Sequence, residues 1–379
     1  MKSWNEEMVK NVYFFIGTEA ELIKVFPVII ECMKRERICH MIASGQNDLT
    51  RSRIMNELRL NGRFVELSKE SEIEKSAKGL LKWFVRTYRS AIKKIEEFFE
   101  GDELKGAPMV VHGDTVSTYM GARIGKKLGC VVCHVEAGLR SHHLFSPFPE
   151  EIDRLLTSRI ARVHFAPGEE AVRNLKHAKG QIVDTQFNTI LDSLQFSKTM
   201  QIATKSLEGV LGQDYFVFVM HRQENLGNKE FVRQIVNCVR EFSQSRKCVL
   251  ILHKITEVTF VKMGILQELS EDKNFVLLPR VDYFDFMKLL DGAQYVITDG
   301  GSNQEELHYM GKPCLILRKE TERQEGIGTN AVLCGENISM MKTFTNNYEK
   351  YRTDSVMESH SPSRIIAEKL DIIGAAEMK

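Results

Sequence analysis

Three short stretches of this 379-residue chain set carboxyl groups where a β-rich run gives way to a helix-like one. The first is His112-Gly113-Asp114-Thr115. The second is His134-Val135-Glu136-Ala137-Gly138-Leu139-Arg140. The third is Ser146-Pro147-Phe148-Pro149-Glu150-Glu151-Ile152-Asp153-Arg154. Carboxylates held at strand and helix ends, with prolines stiffening the loop before one of them, suit general acid and base work, which needs a group fixed within reach of the reacting atom. Taken singly, each has a plainer reading. Asp114 can cap the following helix, and the acidic cluster can pair with Arg140 and Arg154 at the surface.

Other segments suit anions. Gly17-Thr18-Glu19-Ala20-Glu21-Leu22-Ile23-Lys24 reads as a strand end, a tight turn and a helix start. Such a turn presents backbone N–H groups, and Lys24 can reach back over it; alternatively Gly17 only permits the turn and Lys24 is solvated. His221, with Arg222, follows the strand-like YFVFVM, where a histidine is either catalytic, phosphate-binding or structural. Thr298-Asp299-Gly300-Gly301-Ser302-Asn303-Gln304-Glu305-Glu306 is a Gly-rich turn entering a helix. Its N–H groups suit a diphosphate, and Glu305 or Glu306 suits ribose hydroxyls. In a chain that is 27% charged no one segment is specific, and their recurrence at strand ends in both halves carries the signal.

Those ends are set by an alternation of short β-rich runs (NVYFFIG, CHMIAS, APMVVHG, CVVCHVEAG) with longer helical ones. It restarts at YFVFVMH, CVLILHK, FVLLP, YVITDGG and PCLILR. Alternation of this kind predicts βαβ units and two doubly wound α/β halves, with ligands outside the strand carboxyl ends and a cleft between the halves. Residues 68–100 read as one or two amphipathic helices, with Leu80, Leu81, Phe84, Tyr88, Ile92 and Ile95 as the core stripe. The polar stretch GQIVDTQFNTILDSL marks a hinge near 185–200. Neither half contains GxGxxG or GxxxxGK[ST].

Composition narrows the classes. Lys and Arg number 52 against 51 Asp and Glu, so no broad positive field is offered to nucleic acid or an anionic membrane. No apolar run reaches the roughly 18 residues of a membrane span, and the amino terminus lacks signal-peptide character, so a cytoplasmic protein is expected. Cys130 and Cys133 form a CxxC inside a strand-like run with no second pair, which reads as buried strand rather than zinc or a redox couple.

Together GTEAELIKVFP, HGDT, HVEAGLRS, PFPEEIDR, HFAP, HRQENLG, TDGGSNQEE and GKPCLILRKETERQEG resemble the non-hydrolysing UDP-N-acetylglucosamine 2-epimerases, in order from about residue 16 to 335. The resemblance implies a glycosyltransferase-B-like fold of two Rossmann-like domains. It puts these at 1–190 and 191–355, with a C-terminal helix over 356–379 crossing back to the first. It implies interconversion of UDP-GlcNAc and UDP-ManNAc for surface-polysaccharide precursors, without metal or nicotinamide, by a protein commonly dimeric. UDP is eliminated after deprotonation at C2, leaving a 2-acetamidoglucal, and is added back after protonation from the other face. Carried over by position, Asp114, Glu136 and Glu150 match the catalytic carboxylates and His221 the histidine near the diphosphate, with Arg222 beside it. Lys24 matches a P-loop-like lysine, Phe286 the aromatic support of the uracil, Glu306 the ribose acceptor and Arg323 an arginine of the active cleft. Gly300, Gly301 and Ser302 form the phosphate turn.

The departures are as specific. Where the family reads GTRPE, this chain has Glu19 and Ala20, a charge reversal beside the expected diphosphate. Its TDSGG is here Asp299-Gly300-Gly301-Ser302; a histidine after GQ is Asn47; of PxHxNP only His253 remains, with Ile255 and Thr256 following. In bacterial members the last two regions help form an allosteric UDP-GlcNAc site, so loss of that regulation is expected. The alternatives are a hydrolysing epimerase releasing UDP and free ManNAc, a glycosyltransferase on the same fold, and a sugar-nucleotide-binding protein without turnover.

Overall fold

Among the described residues thirteen short runs form strands, because nearly every side chain in the central ones is apolar and buried, as in parallel sheets covered on both faces. The computed structural model describes residues 10–72, 77–99, 104–140, 150–321, 323–356 and 360–376. The Ser146–Pro149 lead-in to Glu150 lies outside them. The chain divides into two units, Met1–Ser193 with Ser361–Lys379, and Leu194–His360.

Unit 1 holds β1 (Asn11–Ile16), β2 (Ile38–Ala43), β3 (Phe64–Glu66), β4 (Pro108–His112), β5 (Val131–Val135), β6 (Val163–Ala166) and β7 (Gln181–Asp184). Their order is β3-β2-β1-β4-β5-β6-β7, every pairing parallel. Unit 2 holds β8 (Tyr215–Val219), β9 (Lys247–Leu252), β10 (Phe275–Pro279), β11 (Val296–Thr298), β12 (Cys314–Ile316) and β13 (Ala331–Leu333). These run β10-β9-β8-β11-β12-β13, again all parallel. In each unit the chain reverses its direction of winding once, between β1 and β4 and between β8 and β11. Side chains just beyond those strands stand at the switch points where doubly wound sheets take ligands.

Three details differ from the sequence reading. The long amphipathic segment is one helix, Ala77–Phe99, whose buried side is Trp83, Ala91, Ile95 and Phe99, while Leu81 is 64% exposed. Leu81 lies about 100° round the helix from Leu80 and faces solvent. The polar stretch GQIVDTQFNTILDSL is not irregular but contains edge strand β7 and the start of the Ile190–Thr199 helix, within which the two units divide between Ser193 and Leu194. Asp114 is not a helix cap, because Thr115 caps the Val116–Lys127 helix in a reciprocal box with Thr118.

The Glu19–Lys34 helix carries Pro27 in its middle. Proline has no N–H to donate to the carbonyl four residues back. Here that carbonyl, Ile23 O, accepts from Ser193 Oγ at 2.5 Å instead. The C-terminal Pro362–Ala376 helix packs on the same helix. Arg37, 1% exposed, donates to Leu370 O at 2.6 Å and stands 3.2 Å from Asp371, which ties the chain's end into unit 1. All eight cysteines, Cys130 and Cys133 included, are buried thiols. Among the described residues no helix is long and apolar enough to cross a membrane.

Candidate functional site

In unit 1 the functional side chains gather beyond β1, β4 and β5. Glu136 is the first residue past β5 and has φ +62°, a left-handed backbone that a glutamate rarely adopts. Strain of this kind collects where a side chain must be aimed. The buried Glu136 carboxylate is paired with Lys24 Nζ and accepts from Asn188 Nδ2. His112 Nε2 lies 3.5 Å away, and neither His112 ring nitrogen has a hydrogen bond. His134 is fully buried, which holds its pKa down to about 3; the neutral ring donates from Nε2 to Gly113 O at 2.7 Å and fixes the turn before Asp114.

Asp114 follows β4, and Arg154 is ion-paired with it. Arg154 belongs to the Glu150–Ile160 helix, whose first turn also carries Glu150, Glu151 and Asp153. The spacing Glu150, Asp153, Arg154 puts these three on one helix face. Asp153 is 6% exposed and its Oδ2 has no hydrogen bond. Burial, then the negative charges of Asp114 and Glu150, push its carboxyl up to about 7.

Glu21 fastens the first loop to the Asp114 turn. It is 3% exposed, and its carboxyl accepts from Gly17 N at 2.6 Å and from Thr115 Oγ1 at 2.5 Å. Burial pushes it up to about 7, with Asp114 adding to the rise and the hydrogen bonds opposing it. Gly17 is required where it is, since a Cβ there would stand 2.2 Å from Ser117 Cβ. Ser117 in turn donates to Gln46 Oε1 at 2.6 Å and shares a 2.7 Å bond with Ser44, joining the β2 loop to the same network. The Glu19 N–H goes to Asn47 Oδ1 at 3.2 Å. Unit 1 therefore holds carboxylates of two kinds, Glu136 and Asp114 against cations, and Glu21 and Asp153 keeping protons to near neutrality.

In unit 2, Asp299 organises the ends of β8 and β11. Fully buried, it accepts from His221 N at 3.0 Å, Arg222 N at 2.9 Å and Asn225 Nδ2 at 3.1 Å. His221 Nδ1 stands 3.2 Å from the same carboxylate, and its ring stacks on His253 with centroids 4.5 Å apart. Burial lowers the His221 pKa, Arg222 and Arg280 lower it further, and Asp299 opposes them.

The Gly301–Met310 helix begins here with Gly300 as N-cap and no side-chain cap. Its first N–H groups are thus open to an anion. Gly300 N itself donates to Thr298 Oγ1 at 3.0 Å. Ser302 is exposed in the first turn, and Glu306 is buried and accepts from Asn303 Nδ2 at 3.0 Å. Glu305 is tied to Arg323. Phe286 is half-buried in the Tyr283–Gly292 helix, which Asp282 caps through Phe284 N and Asp285 N.

The sequence reading missed Glu21, Asp153 and Asn188 as functional candidates. Glu21 and Asp153 lay inside quoted motifs, and their burial was the missing signal. Asn188 sits 52 residues from Glu136, in a stretch that read only as polar.

The sequence profile described as UDP-N-acetylglucosamine 2-epimerase matches residues 31–362. The UDP-N-acetylglucosamine 2-epimerase of Methanocaldococcus jannaschii is 31% identical over 340 residues, which is 85% of this chain and 87% of that one. The solved structure of the M. jannaschii UDP-GlcNAc 2-epimerase superposes with a TM-score of 0.77 at 26% identity, covering 95% of this chain and 99% of that one. Its complex with UDP-GlcNAc and UDP superposes at 0.74, with the same identity and coverage. A glycotransferase of kitacinnamycin, 10% identical, shares the fold with a TM-score of 0.57 over 97% of this chain and 98% of its own.

Proposed function

Because the chain belongs to the UDP-N-acetylglucosamine 2-epimerase family, and is an isomerase of that kind, we propose that it interconverts UDP-GlcNAc and UDP-ManNAc without net hydrolysis. A carboxylate of unit 1 takes the proton from C2. The C2–H electrons form a C1=C2 bond while the C1–O bond breaks and UDP leaves. UDP then returns to C1 as C2 is protonated from the opposite face. Asp114, Glu136 and Glu150 carry these proton transfers, and the ion pairs with Lys24 and Arg154 hold Glu136 and Asp114 in place. His221, Arg222 and the Gly300-Gly301-Ser302 turn hold the diphosphate, Glu306 the ribose and Phe286 the uracil, with Arg323 fixing Glu305 beside them.

The observation that carries the reading is Glu136, strained to φ +62° and clamped by Lys24 and Asn188, one strand over from the Asp114–Arg154 pair. Complexes of the M. jannaschii protein with UDP-GlcNAc and UDP support the substrate class. The test is NMR of UDP-GlcNAc with the purified protein in deuterated water. Deuterium at C2 and a growing UDP-ManNAc signal are expected, both lost in Glu136→Gln with UDP binding retained. Free ManNAc and UDP in equal amounts would assign the hydrolysing reaction instead. Exchange that persists in the amide variants of all three carboxylates would remove them from the chemistry.

A further inference from the structure

At the amino ends of β5 and β6, the opposite ends from those that carry Asp114 and Glu136, unit 1 contains a polar cavity of about 470 Å³. Lys126, Arg159, Arg162 and Lys179 wall it, over the backbone at the start of β5, and no acidic residue lines it. None of the four side chains forms an ion pair or hydrogen bond among the described residues. A second cavity of about 470 Å³ shares Arg159 and Lys179 with the first and continues over the apolar side chains of Leu155 and Leu175.

Part of this charge has a local reason. Lys126 and Arg159 stand in the last turns of the Val116–Lys127 and Glu150–Ile160 helices, where cations offset the helix dipole. Each helix end carries about half an elementary charge, so two ends balance roughly one of the four cations. The excess is local, since the whole chain has a net charge of only +1. Guanidinium and ammonium groups converging without carboxylates are the donor set that selects a phosphoryl group, and a few hundred cubic ångströms is the size of a small-molecule site.

We propose that the paired cavities bind a small organic phosphate, its phosphoryl group among Lys126, Arg159, Arg162 and Lys179 and its organic body over Leu155 and Leu175. The site is separate from the carboxylates of the reaction. Glu150 and Arg159 lie nine residues apart on one helix, about 13 Å along its axis. Occupancy at the last turn therefore bears on the element that carries Glu150, Asp153 and Arg154 at its first.

The probes are N-acetylglucosamine 1-phosphate, which has both parts, and inorganic pyrophosphate, which lacks the organic one. Each is titrated calorimetrically at low ionic strength into wild type, the Arg159→Glu/Lys179→Glu variant and the His221→Ala variant. The sugar phosphate is expected to bind saturably and more tightly than pyrophosphate, to lose at least tenfold in affinity on charge reversal, and to bind the His221 variant as it does wild type. If charge reversal disturbs folding, as judged by circular dichroism, Arg159→Gln/Lys179→Gln is used, with at least threefold weakening expected. Unchanged affinity in the charge variants, or no saturable binding to wild type, overturns the proposal. So does loss confined to the His221 variant, which places all binding in unit 2, or equal competition by sulfate, which reduces the cluster to an unselective ion cloud. The proposal stands apart from the epimerase reading, because C2 exchange by NMR is insensitive to whether this second site exists.

Discussion

Replacing Glu21 with glutamine is expected to stabilise the protein at pH 8 and to leave it almost unchanged at pH 5. Burial pushes the Glu21 carboxyl from an ordinary 4.5 up to about 7. Between those values the folded chain keeps a proton that the unfolded chain has released, so stability falls as pH rises through the interval. Above pH 7 the whole penalty is present. At about 1.4 kcal/mol for each pH unit it comes to about 3.5 kcal/mol. Glutamine removes the titration and keeps the shape. Its carbonyl accepts from Gly17 N–H, its amide donates to Thr115 Oγ1, and the Thr115 hydroxyl turns to Thr118 Oγ1, 3.2 Å away. Allowing about 1 to 1.5 kcal/mol for the charge-assisted bonds lost, the net gain at pH 8 is about 2 to 2.5 kcal/mol.

The assay is urea unfolding followed by tryptophan fluorescence at pH 5, 6.5 and 8. Of the chain's two tryptophans, Trp83 lies in the core of unit 1, so its signal reports that unit even if the two units unfold separately. Trp83 is 1% exposed and donates to Ser68 Oγ at 2.8 Å, so its emission shifts when this core opens. A variant less stable than wild type at pH 8, or one whose difference from wild type is the same at pH 5 and pH 8, would show that Glu21 is not the proton-holding group described.

Three further outcomes follow from the site. Lys24→Met strands the Glu136 carboxylate and should cost about 3 to 5 kcal/mol in the same unfolding assay, most of it recovered in Lys24→Met/Glu136→Gln. Asp153→Asn should flatten the alkaline side of the pH profile of kcat/KM: the carboxyl, lifted to about 7, gains a charge beside Asp114 and Glu150 as pH rises, and asparagine cannot. A profile unchanged near pH 7 would separate Asp153 from the reaction. Gly300→Ala places a Cβ 2.7 Å from Asn303 Oδ1 and 3.2 Å from His221 Cε1, so UDP affinity measured by calorimetry should fall about tenfold or more while unit 1 fluorescence unfolding is unchanged.

The strands legible in the sequence were those buried on both faces. NVYFFI, PMVVH and YFVFV are continuous apolar runs because the central strands of a parallel sheet meet helices above and below. Strands β3, β6, β7 and β13 escaped because each is only three or four residues long; β3, β7 and β13 are also edge strands, and the QIVD of β7 is nowhere fully buried, whereas edge strand β10 was legible through its five-residue run FVLLP. The site was legible where chemistry and chain order coincide, at Asp114, Glu136 and His221 just past their strands. What the sequence hid was pairing at a distance. Lys24 was read as a phosphate cation reaching over its own turn, yet it crosses to Glu136, 112 residues on. Asp299 was read inside a phosphate turn, yet it is spent on the backbone of His221 and Arg222. Neither partner can be inferred from spacing along one segment.

These pairings bear on Glu19, the charge reversal in the first loop. As the first residue of its helix after the Thr18 cap, an acidic side chain there is favoured by the helix dipole, so local structure alone accounts for its presence. It nonetheless removes a positive charge from the set that the family resemblance assigns to the diphosphate. Lys24, Arg222 and Arg323 are the cations that the resemblance leaves to replace it. Lys24 is committed to buried Glu136 and Arg323 to buried Glu305, and drawing either away would strand a carboxylate in low dielectric. Arg222 pairs with Glu224, which is exposed and 3.4 Å away, an ion pair that exchanges with water at little cost. On the proposed reading Arg222 and the uncapped helix at Gly301 therefore carry the diphosphate. That assigns nucleotide affinity to unit 2, leaves the cations of unit 1 to hold Glu136 and Asp114 in place, and makes Glu19 tolerable without any rearrangement of the catalytic carboxylates.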